Sequence, residues 1–150
     1  MSIVFSSTSQ AQKFADKDYF LVDSLVLDKL SNFDKHLIDS CLSLYHNAEH
    51  DTGKIKALTE IVEGSWDDNV WPKYNMYTYH LIQRSLKKKH SAKVKRYLLN
   101  AQAGTINNIG FDLKNHGEIN KALKFYHESL KIKEKLGDKY GIAVGINNIA

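Results

Sequence analysis

The residues of this chain best suited to chemistry are seven histidines, two tryptophans, a basic cluster and a single cysteine. The histidines stand at positions 36, 46, 50, 80, 90, 116 and 127. His46 and His50 lie four apart with Glu49 between them, a spacing that zinc motifs use when it falls on a helix. Here the apolar periodicity stops at that point, so the segment reads as a surface connection. Trp66 and Trp71, with Tyr74, Tyr77 and Tyr79, offer an aromatic box for a small ligand or for an enzymatic site. Aromatics at helical spacing serve a core equally well. Lys87, Lys88, Lys89 and His90, followed by Lys93, Lys95 and Arg96, form the one dense basic cluster. A net charge of +4 is too small to imply nucleic acid, and cations suit a helix C-terminus. There is no glycine-rich phosphate loop, no Gly-x-Ser-x-Gly and no metal-ligand spacing. No recognised catalytic motif joins any histidine to an acid and a nucleophile. Cys41 cannot form an internal disulfide, and among Ile38, Leu42 and Tyr45 it reads as a small buried thiol. The chemistry expected is therefore binding, with no catalytic residue, metal or cofactor.

The elements that position these residues are organised around 107–150. A shift of 40 residues lays Ala103, Ile106, Asn107, Asn108 and Ile109 onto Ala143, Ile146, Asn147, Asn148 and Ile149. Self-similarity at that period marks stacked repeats. Within one period the pattern is a helical hairpin. Gly110 and Ala122 are small where two helices must approach, and Gly117 ends the first helix. Ile119, Ala122, Leu123, Tyr126 and Leu130 then follow one helix face, which Phe125, Ser129, Ile132 and Leu136 widen. Gly137 suits a helix end, and Asp138 suits the cap of the next helix.

This pattern resembles the tetratricopeptide repeat (TPR), in its longer form of about 40 residues. Ile109, Gly110, Gly117, Ala122, Tyr126 and Ser129 stand at the family's apolar, small, turn, small, aromatic and small positions. Leu113 stands where the family often has an aromatic, and the closing proline of the shorter repeat is absent. The resemblance implies an all-α fold, an antiparallel helix-hairpin solenoid. It also implies a concave groove that holds a protein or peptide partner. The matching groove positions are Asn107, Asn108, Phe111 and Lys114, with Asn148 in the next unit. Asparagine suits a peptide backbone because one amide both donates and accepts. The other reading is that these asparagines bond to neighbouring helices.

Residues 1–12 look like the tail of a secretory signal, with small residues up to Ala11, or like a plain N-terminal extension. The first reading implies an extracytoplasmic or periplasmic location and the second a cytoplasmic one. Residues 13–50 are expected to form a helical cap, with helical pattern over 18–47 and a break near Ser31-Asn32. Residues 51–150 are expected to carry the repeats. Asp51 or Thr52 caps a helix that stops before Gly64, and Pro72 opens a helix that ends in the lysines. Further helices are expected over 92–115, 119–136 and 139–150. The last exposes Ile142, Val144, Ile146 and Ile149, a face expected to meet a further repeat or a second copy of the chain. No apolar run of membrane-spanning length occurs.

The arrangement over about 23–150 is also similar to the N-terminal sensor region of Bacteroidetes-type two-component proteins, in which a leader like Asp51-Thr52-Gly53-Lys54 precedes long repeats. That similarity implies the regulatory fragment of a longer signalling chain. A free-standing scaffold or co-chaperone that binds peptides is the alternative.

Overall fold

A computed structural model describes residues 14–150. The interpretation of residues 1–12 as a signal remnant lies outside the described residues. The described chain is all-α. Its helices are α1 (Lys17–Phe20), α2 (Asn32–Asn47), α3 (Asp51–Gly64), α4 (Trp71–Leu86), α5 (Ala92–Asn115), α6 (Ile119–Leu136) and α7 (Lys139–Ile149).

Local chemistry sets the ends of the long helices. Ser31 caps α2 by accepting the Asp34 backbone N–H, and Ser91 caps α5 by accepting that of Val94. Both are serine N-caps that satisfy donors the helix cannot. Pro72 stands in the first turn of α4, where its missing N–H costs nothing. Gly117, at φ +79°, separates α5 from α6 in a conformation that only glycine adopts freely. Asp138 caps α7 by accepting the Gly141 N–H at 3.0 Å. The cap of α3 differs from expectation. His50 occupies the N-cap without a side-chain bond, and Asp51 is the first helical residue. Its carboxylate instead pairs with Lys88 at 2.7 Å, tying the start of α3 to the end of α4.

The expectation of helix from residue 18 to the break near 31 is overturned. The helix stops after Phe20, and Leu21 and Ser24 take positive φ. These two bends fold the segment back on itself. Phe14 bridges Val26, and the Ala15 N–H donates to the Leu25 carbonyl at 2.8 Å. The segment is thus a clasp that drops Val22, Leu25 and Leu30 into the core.

Each long helix packs on the next in sequence. Paired residues show that neighbours are antiparallel. Along α5 and α6, Arg96 bonds to Leu136, Asn100 to Lys133 and Ala103 to Ser129, while Gly110 faces Tyr126. Gly110 is required there, because a Cβ would lie 2.8 Å from the Tyr126 ring. On α4 the buried positions 71, 74, 75, 78, 81, 82 and 85 form one continuous helical stripe. The main core runs from Val22 to Leu98 and fills the space between the clasp and α2–α5. Among the described residues no helix is long and apolar enough to cross a membrane.

Candidate partner-binding groove

Two helices that are not sequence neighbours also touch: α3 and α5. They run in the same direction, with the Tyr97 hydroxyl donating to the Thr52 carbonyl at 3.4 Å near one end. Between them lies a trough. Its first part is a cavity of about 390 Å³, lined by Lys56, Thr59, Glu60 and Glu63 of α3 and by Tyr97, Asn100, Gly104 and Asn108 of α5. A second cavity of about 340 Å³ shares the walls Val62, Glu63 and Asn108 with it, so the two adjoin. This second part is lined by Trp66, Asp68, Trp71, Phe111 and Asn115.

The wall residues follow from helical spacing. Positions 56, 60 and 63 form one polar stripe on α3, and 97, 100, 104, 108, 111 and 115 share one face of α5. Gly104 leaves the floor low, since nothing lies within 4 Å of where its Cβ would be. Lys133 reaches in from α6, donating to Asn100 at 2.7 Å and to the Asp138 carboxylate at 2.9 Å. Burial raises the pKa of the Tyr97 phenol, so at neutral pH it faces the trough as a neutral donor and acceptor. The α3 lip thus carries charges and the α5 lip amides.

The expected site residues are distributed as follows. Asn108 lines both cavities, and its amide donates to the Asn75 side chain at 3.1 Å. Asn75 is buried on α4 and donates in turn to the Thr105 carbonyl at 3.0 Å. Asn107 accepts from the Asn148 amide at 2.8 Å, which joins α5 to α7. Phe111 lines the second cavity and is about half exposed. Lys114 is exposed and outside both cavities. The asparagines therefore bond to neighbouring helices, and Asn108 also faces the trough.

The aromatic box of Trp66, Trp71 and the tyrosines is not assembled. Tyr74 is wholly buried in the core, and the Tyr77 hydroxyl lies 3.1 Å from that of Tyr45. Trp71 meets Phe111 instead, which lies 40 positions beyond it and carries no sequence cue for the contact. His46 stacks on Tyr19, and its Nε2 lies 2.9 Å from the Tyr19 carbonyl oxygen. Among the described residues no three histidine, cysteine or acidic side chains converge as a metal site. Lys56, Glu60, Asn100 and Gly104 escaped the sequence reading. Their signal was the polar stripe itself, which any solvated helix face also shows.

The fold and the trough define a class: sequential antiparallel helical hairpins with a groove between parallel, non-adjacent helices. Comparison with known proteins adds no family, because no family model, curated protein or solved structure matches the chain.

Proposed function

We propose that this chain is a non-catalytic protein–protein interaction module of TPR-like, solenoid type, serving as the regulatory or sensor region of a bacterial signalling protein. The observation that carries the reading is the trough between α3 and α5, walled by charged side chains on α3 and amides on α5. Such a wall can satisfy peptide N–H and C=O groups while side chains enter the two cavities. The 40-residue repetition of Asn-Asn-Ile supports the same reading. So does the Asn107–Asn148 bond, which holds the first helices of successive units side by side. The signalling assignment draws on the Asp51–Lys54 leader, which forms the first turn of α3. There Asp51 pairs with Lys88, and the Lys54 ammonium lies 5.6 Å from the centroid of the Tyr45 ring.

A peptide-library selection on the intact chain tests the proposal. Selected peptides should bind wild type and lose binding to Gly104→Trp, which fills the trough from an open floor position. The variant should melt like wild type. Peptides that bind Gly104→Trp undiminished, or a library that yields none, would remove the trough as the functional surface.

A further inference from the structure

The trough ends near residues 65–70 in chemistry unlike the rest of it. The walls there are the rings of Trp66, Trp71 and Phe111 with the carboxylates of Glu63 and Asp68. The Trp71 and Phe111 ring centroids lie 6.0 Å apart at an interplanar angle of 49°. The Trp71 indole N–H donates to Asp68 at 3.2 Å, which fixes that carboxylate at the rim. Trp66 is 92% exposed, so its ring contributes nothing to the core and stands open to a ligand. Among the described residues no lysine or arginine lines this cavity. Among the described residues neither Glu63 nor Asp68 belongs to an ion pair.

Three kinds of occupant can be compared. An acidic side chain is repelled by both carboxylates. An apolar one gains from the rings but takes water from carboxylates without replacing it. A cation gains twice, from the opposite charges and from the negative faces of the rings. The Asp68 carboxylate also acts on the neighbouring His116. The His116 pKa is raised first by its bond to the Asp112 carbonyl, then by the Asp112 charge, with Asp68 adding to both. His116 is itself engaged with Asp112, its Nδ1 lying 2.8 Å from that carbonyl oxygen, and it is not part of the cavity wall.

We infer that this end of the trough is an aromatic–acidic pocket for a basic side chain of the bound peptide, arginine before lysine. A guanidinium plane stacks on rings and pairs with carboxylates through a fixed fork, which an ammonium cannot do. The inference deepens the interaction-module reading and depends on it for the peptide, though not for the cation.

The test titrates the whole chain with N-acetyl-arginine methylamide, its lysine counterpart and the neutral citrulline analogue. Tryptophan fluorescence and the indole N–H signals report binding. Saturable binding of the arginine amide is expected, with citrulline weaker by about fivefold or more. Trp66→Ala, and Glu63→Gln combined with Asp68→Asn, should each weaken the arginine amide roughly five- to tenfold. Both variants should melt like wild type, because Trp66 and Glu63 are exposed and an asparagine still accepts from Trp71. Equal binding of citrulline, undiminished binding by the Gln/Asn variant, or no saturable response to any amide would overturn the pocket. Library peptides separate the two failures. Peptides blocked by Gly104→Trp but indifferent to the Gln/Asn variant would leave the trough standing without the pocket. Cation binding with no trough-dependent peptide would leave the pocket and remove the module reading.

Discussion

At the scale of single residues, buried polar groups decide most. Among the described residues the Tyr74 hydroxyl is the only buried side-chain polar atom without a partner. Burial, with a smaller contribution from Tyr19, holds its pKa far above the ordinary phenol range, so it remains neutral and still lacks a bond. Tyr74→Phe should therefore be neutral or stabilising by up to about 1 kcal/mol in urea unfolding, since it removes a desolvated group at no cost in shape. A loss of stability would show that the hydroxyl has a partner. Asn75 is the opposite case. It donates to the Thr105 carbonyl and accepts from Asn108. Asn75→Ala strands both and should cost about 1–3 kcal/mol. Asn108→Ala should cost less, because Asn108 is only partly buried at the trough wall. Equal losses would mean that Asn108 is structural alone. The polarity of Asn108 was legible in the sequence, but its partner was not. Asn75 lies 33 positions earlier on another helix, and no periodicity links the two.

At the scale of the helices, the two glycines within α5 separate packing from binding. Gly104 has no neighbour within 4 Å of a Cβ, so Gly104→Ala should raise stability by about 0.5–1 kcal/mol through helix propensity. Gly110→Leu should lower the melting temperature sharply, at a cost of about 1–3 kcal/mol or more, because its Cβ meets the Tyr126 ring and the Ala122 carbonyl. Equal effects from the two substitutions would contradict the α5–α6 packing. Helix α7 hangs on its cap. The Asp138 pKa is lowered first by the Gly141 backbone N–H and then by Lys133. The cap thus stabilises fully above the ordinary carboxylate range, and that contribution disappears as pH falls through the lowered pKa. Backbone NMR signals of α7 should fray in acid before those of α4, and Asp138→Asn should remove most of that difference. The C-terminal ends of α5 and α6 were legible because Gly117 and Gly137 act locally, whatever packs around them. The clasp was not. Leu21, Leu25 and Leu30 recur at near-helical spacing, yet they reach the core through the positive-φ turns at Leu21 and Ser24. Neither residue type announces that conformation.

At the scale of the whole chain, packing runs almost entirely between consecutive helices, which makes stability local in character. Identical sequence then meets unlike surroundings. Ile106 is fully buried, whereas Ile146, its counterpart one repeat later, is 56% exposed. The difference lies in the neighbours: α5 is enclosed by α4 and α6, while α7 packs chiefly on α6. Amide exchange should therefore be graded. Protection should be greatest in α3 and α4, whose Ile55, Leu58, Ile61, Tyr74 and Ile82 are completely buried. It should be least in α7, whose buried residues are only Gly141 and Gly145. Uniform protection across all helices would mean one cooperative globule and would count against a stack of nearest neighbours. The same measurement tests what covers the Ile146 face. If a second copy of the chain docks there, protection in α7 should rise with protein concentration while α3 and α4 stay constant. If α7 exchanges at one rate from dilute to concentrated solution, self-association through this helix is ruled out.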